Sequence, residues 1–90
     1  KTGMLYVGKV IKRVAPVYPP LAMQANIAGS VSLEAIIDET GNVIWAKPVA
    51  GHPSLRDAAV EALRQWKFEP ATFDGVPVKV LGAFTFNFGK

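Results

Sequence analysis

Ninety residues, half of them hydrophobic and 19% charged, have the composition of one small globular domain rather than a disordered chain. The absence of cysteine excludes disulfide staples and thiolate metal or redox sites, and a net charge of +3 offers little attraction to a polyanion. No apolar run reaches the length of a membrane span and no signal peptide is visible; since Lys1 is not a natural translation start, a longer parent chain is expected.

Residues 1–15 mix β-branched and basic side chains and read as an extended arm or an edge strand. Lys9, Lys12 and Arg13 there discourage edge-to-edge pairing. The remaining residues, 16–90, read as the folded domain. Pro16, Pro19 and Pro20 hold Val17 to Pro19 extended, and Pro19 or Pro20 suits the first position of a short helix through Ala25. Asn26 or Gly29 then ends it in the left-handed conformation.

Ser30 to Ile37 alternates, with Val31, Leu33, Ala35 and Ile37 on one face, as a half-buried strand does. Asp38-Glu39-Thr40-Gly41 has the Asp-first, Gly-fourth arrangement of a type I turn, and Val43 to Val49 returns as the partner strand. Pro48 cannot donate to a ladder, which places that strand at a sheet edge or beside a bulge. Between Ser54 and Trp66, Leu55, Ala58, Ala59, Ala62, Leu63 and Trp66 recur at helical spacing and form one apolar stripe. Ser54 is the expected N-cap, and Pro70 bars continuation beyond Phe68. After an Asp74-Gly75 turn signal, Val78 to Phe88 alternates again. Val78, Val80, Gly82, Phe84, Phe86 and Phe88 share the inner face.

The expected fold is therefore α+β: a three-stranded antiparallel sheet covered on one face by two helices, with an N-terminal extended arm. If the last strand pairs with the first, its other edge is open, and small residues at Gly82 and Ala83 invite a guest strand. The competing occupants of that edge are the arm Val7 to Val14 and a second copy of the chain. Trp66 lies on the apolar stripe and is expected in the core; Trp45, if it projects away from the core, marks an interaction surface.

Catalysis has little to stand on. His52, the single histidine, sits in a Gly-His-Pro loop with no converging partners, and the seven carboxylates are scattered over turns and exposed faces. No catalytic residue, metal ligand or cofactor is expected. The run Gly82 to Phe88 faintly resembles the base-stacking strand of an RNA-recognition motif, but its rings alternate with polar residues as core-facing rings do. No nucleic-acid partner is expected.

Five ordered pieces resemble the C-terminal domain of TonB-type energy transducers. They are Pro16 to Ala22, Ile27 to Val31, Asp38 to Val43, Ala59 to Pro70 and Asp74 to Val78, and the resemblance spans about Pro16 to Phe88. The Ala-Leu-Arg-Gln-Trp-Lys-Phe-Glu-Pro block is the most diagnostic. The resemblance implies a periplasmic domain, tethered by an inner-membrane anchor and a proline-rich linker in a segment upstream. It implies capture of the TonB box, an extended peptide of outer-membrane transporters, beside the last strand. Inner-membrane motor proteins of the ExbB/ExbD type would supply proton-motive force through the upstream segment. The expected partner-binding residues are then Val17, Tyr18 and Pro19 together with Val80, Leu81, Gly82, Ala83, Phe84 and Thr85. Well-known members have Gln where this chain has Val17, which removes a polar contact. The alternative is a stand-alone adaptor that forms a homodimer through the same edge.

Overall fold

The computed structural model describes residues 3–89 of the chain. Two short strands, β1 (Leu5–Tyr6) and β2 (Val10–Lys12), precede helix α1 (Pro20–Gln24). The hairpin β3 (Gly29–Ile37) and β4 (Val43–Ala50) follows, then helix α2 (Pro53–Arg64). Three short strands, β5 (Lys67–Phe68), β6 (Ala71–Phe73) and β7 (Val76–Val78), lead into the long β8 (Val80–Phe88).

The central sheet has the antiparallel order β4-β3-β8, so the last strand pairs with the first strand of the hairpin as expected. Its alternation places Val31, Leu33, Ala35 and Ile37 of β3 and Phe86 and Phe88 of β8 in the interior. Leu55, Ala59, Ala62 and Leu63 of α2 and Ala22 of α1 meet them there. Two alanines among these keep the α2 axis close to the sheet, while Leu55 and Leu63 are wholly buried. Pro48 falls on the edge strand β4, opposite Leu33 and next to a register shift. Both tolerances invoked for it from sequence are used.

Turn chemistry follows local rules. Gly41 adopts φ 88° and donates its N–H to the Asp38 carbonyl at 3.0 Å, and Asn26 takes φ 58° after α1. Gly41 has a second reason to be glycine: a Cβ there would stand 1.8 Å from the Phe68 carbonyl oxygen. Asp74 and Gly75, at φ 51° and 81°, make the two-residue type I′ turn that closes β6 on β7.

Three boundaries differ from the sequence reading. The N-cap of α2 is His52, not Ser54; its Nδ1 accepts the Ser54 N–H at 3.0 Å. Pro53 explains the displacement, because a residue with no N–H and a helix-compatible φ belongs at the first helical position. That puts the cap two residues earlier, and His52 is a structural ligand of the helix end rather than a bare loop residue. The helix stops at Arg64 instead of reaching Trp66, and Trp66 turns so that its indole N–H donates to the Val14 carbonyl at 2.9 Å. Finally, the last strand is divided: β7 belongs to the hairpin with β6, and only Val80 onward pairs with β3.

The arm does not lie on β8. Residues 4–14 run antiparallel along residues 66–74 instead. Met4 and Asp74 exchange bonds at 2.9 and 2.8 Å, as do Lys9 and Glu69 at 3.0 and 2.8 Å. Leu5 pairs with Phe73, Tyr6 with Thr72, and Val10 with Phe68. Gly8 permits this approach, since a Cβ there would sit 2.0 Å from the Glu69 carbonyl oxygen. Arg13 stacks over the Trp66 ring, 5.3 Å from its centroid.

Candidate functional site: a free sheet edge beside an apolar groove

Strand β8 keeps an unbroken register with β3, from Val80 opposite Ile37 to Phe88 opposite Gly29. Among the described residues no strand pairs with its other side. In an antiparallel edge strand, alternate residues point their N–H and C=O away from the sheet. β8 therefore offers a row of unclaimed donors and acceptors along its length.

The two ends of this edge have different surroundings. Toward Phe88 the core face is closed by the helices, and Tyr18 packs edge-to-face on Phe88 with ring centroids 5.7 Å apart. The Tyr18 hydroxyl donates to the Ile27 carbonyl. Pro19 is the N-cap of α1, and Val17 is 78% exposed beside Ala58 and Ala62 of α2. Toward Val80 the helices no longer cover the sheet. A groove of about 530 Å³ opens there, between the Val80–Phe84 stretch of β8 and the arm residues Leu5, Val7 and Val10. Ile37 and Phe68 line it from within.

The expected site residues are thus divided. The structure groups Val80, Leu81, Gly82, Ala83 and Phe84 at the groove. Thr85 lies just past it, its hydroxyl 3.5 Å from that of Ser32. Val17, Tyr18 and Pro19 belong to the opposite end of the strand, which rises roughly 27 Å over its length. Sequence reasoning missed Leu5, Val7, Val10 and Phe68 as walls of the groove. Their alternation with Gly8 and basic residues is too short to show which way they face.

On the outer sheet face, the cross-strand rows change character along β8. Ser30 donates to Asn87 at 2.6 Å at one end, whereas Ile36 stands between Trp45 and Leu81 at the other. Trp45 is 42% exposed and Leu81 64%, so both faces at the groove end are apolar. The aromatic run is not a base-stacking platform, since Phe86 and Phe88 are buried and Phe84 packs against Trp66 at 5.9 Å.

Among the described residues that line the groove, Glu69 alone is charged. Its carboxylate accepts the Lys9 N–H and the Tyr6 hydroxyl, which hold its pKa below the ordinary value and raise that of Tyr6. Among the described residues, no cluster of His, Cys, Asp and Glu could hold a metal ion. No helix there is long and apolar enough to cross a membrane.

A two-helix domain whose central three-stranded sheet ends on an edge strand matches a known family. The model for the Gram-negative bacterial TonB protein C-terminal region covers residues 14–89. The chain belongs to the TonB C-terminal family. Protein TonB of Vibrio cholerae is 41% identical over 71 residues, covering 77% of this chain and 29% of that protein. Protein TonB of Xanthomonas campestris pv. campestris is 37% identical over 62 residues, covering 67% of this chain and 28% of that protein. The chain thus spans less than a third of the length of these TonB relatives. The solution NMR structure of the Pseudomonas aeruginosa TonB C-terminal domain superposes with a TM-score of 0.72 at 27% identity, over 92% of this chain and 86% of that one.

Proposed function

We infer that this TonB-family domain is the receptor-contacting end of an energy transducer, binding the TonB box of outer-membrane transporters by strand addition. The observation that carries the reading is the edge of β8, nine residues long and paired on one side only among the described residues. A free backbone edge recognises another backbone, and the hydrogen bonds so formed lie in parallel across the strands. A guest held this way resists a pull along its own length through several bonds at once, which suits a force-bearing contact. Val80 to Thr85 would supply the pairing edge. Val17, Tyr18 and Pro19 would flank the other end, Val17 with its exposed side chain and Tyr18 through its packed ring. The domain would work in the periplasm, with motor proteins of the ExbB/ExbD type acting through an inner-membrane segment upstream. No catalytic step is involved.

The test is an amide chemical-shift titration with synthetic TonB-box peptides from transporters of the same bacterium. Saturable shifts confined to Val78–Phe88 and Val17–Pro19 are expected. Silence across the panel, together with a dimer-sized hydrodynamic radius, would replace this reading with self-association through the same edge.

A further inference from the structure

The arm closes off the region beneath the groove end of β8 without pairing with that strand. Its residues 4–14 are committed to residues 66–74, yet Leu5 and Val7 remain 57% and 70% exposed, facing Val80–Phe84 across a space of about 530 Å³. Gly82 contributes no side chain, and the Phe84 ring leans over it, 2.9 Å from where a Cβ would stand. The result is a trough with a hydrogen-bonding rail on one wall and apolar side chains on the other. A small apolar ligand would leave the rail unsatisfied, and a helix presents no free backbone to it. An extended peptide satisfies both walls.

We propose that the arm is the second wall of the peptide site, and that the guest strand anchors there through one large aliphatic or aromatic side chain. This rests on the strand-addition reading and specifies its partner. A strand lying beside β8 alternates its side chains, so one residue points into the trough against Ile37, Phe68 and Phe84, while its neighbours run along the Leu81 and Trp45 face. Glu69, the one charged side chain among the described residues lining the trough, is kept ionised by its two donors and disfavours a guest carboxylate at the anchor position. Specificity for an apolar anchor therefore comes from the trough, while the edge supplies sequence-independent pairing.

The probes are short synthetic peptides of alternating Thr and Val whose central residue is Phe, Leu, Ala or Asp. They are measured by fluorescence anisotropy against the whole chain, alongside the transporter-derived peptides. Phe and Leu are expected to bind about tenfold tighter than Ala, a difference typical of burying one large side chain, with Asp weakest. Val7→Glu, on the exposed arm wall, is expected to erase the preference for Phe over Ala while leaving residual binding through the edge. Val49→Glu, on the far strand β4, serves as the charge-matched control and should leave the preference intact. An amide spectrum with native dispersion confirms that each variant folds. Equal affinity for all four central residues, or a preference that survives in Val7→Glu, overturns the anchor trough while strand addition stands. Failure of every peptide to bind the unaltered chain overturns both.

Discussion

Single residues in this chain are constrained by what the backbone does around them. Gly41 answers to two demands at once, a left-handed φ and the Phe68 carbonyl 1.8 Å from any Cβ. Gly41→Ala should therefore destabilise by more than the strain of a left-handed alanine, about 2 kcal/mol or above, read as a lowered midpoint in urea. His52 acts through its ring nitrogen on the first turn of α2, so His52→Ala should cost about 1 kcal/mol, the usual worth of an N-cap. His52→Asn, which restores an acceptor, should recover most of it. Glu69 and Tyr6 form a latch whose pH limits follow from their shifts. The carboxylate is depressed in the folded chain, so its contribution is present above its ordinary pKa of 4.5 and lost as pH falls through the lower folded value. The phenol is raised, so its contribution is present below 10.0 and lost as pH climbs through the higher folded value. Hydrogen exchange at the Lys9 amide should thus be slow relative to its intrinsic rate at neutral pH, with that protection weakening in acid.

Elements in this fold are held by partners distant in sequence. Helix α2 is amphipathic enough to be read directly, and Leu63, wholly buried, should cost about 2–5 kcal/mol as Leu63→Ala in thermal unfolding. The arm is different: strands of two and three residues have no independent stability, and they exist because residues 66–74 lie alongside. Gly8 is the point of closest approach. Gly8→Val should peel the arm from Glu69 while leaving the β3–β8 ladder intact, visible as amide protection lost at Lys9 and Glu69 but kept at Leu33 and Phe86. Loss of protection throughout would mean that the arm is integral to the core. Trp66 links the two levels, because its ring packs on Phe84 and Phe86 at 5.9 and 5.6 Å while its N–H holds Val14.

At the scale of the whole molecule, the extents of 54 × 21 × 21 Å and the radius of gyration of 15.0 Å exceed the roughly 12 Å of a compact chain of this length. β7 runs into β8 with only Lys79 between them, and the arm and the β6–β7 hairpin form sheets of their own, β1-β6-β7 and β2-β5, that do not pair with β8. The edge of β8 is thereby left uncovered. Adjacent residues on that strand differ in which side their N–H faces. Proline placed singly at Gly82 and at Ala83 should accordingly behave differently: one breaks the ladder to β3 and unfolds the domain, while the other leaves it folded and abolishes peptide binding. Unchanged affinity in the folded variant would exclude strand addition at this edge.

The periodicities of β3, α2 and β8, the Asp38 turn and the edge position of β4 were legible from residue order, because each depends on contacts a few residues apart or on a proline's missing donor. Burial followed from the same alternation where the helices cover the sheet, along β3 and at Phe86 and Phe88, but not at Val80, Gly82 and Phe84, whose inner face opens on the groove. The ends of α2 were legible only in part, because Pro53 outcompeted Ser54 for the start and Trp66 gave up its helical place for a bond to Val14. The site was half visible. Val80 to Thr85 announce an open edge through alternation and small residues, but Leu5, Val7, Val10 and Phe68 become a wall only when residues 4–14 align with residues 66–74. That alignment joins segments about sixty residues apart through backbone bonds and through the Glu69 and Asp74 carboxylates, none of which neighbouring residues reveal, which is why tertiary structure alone could decide it.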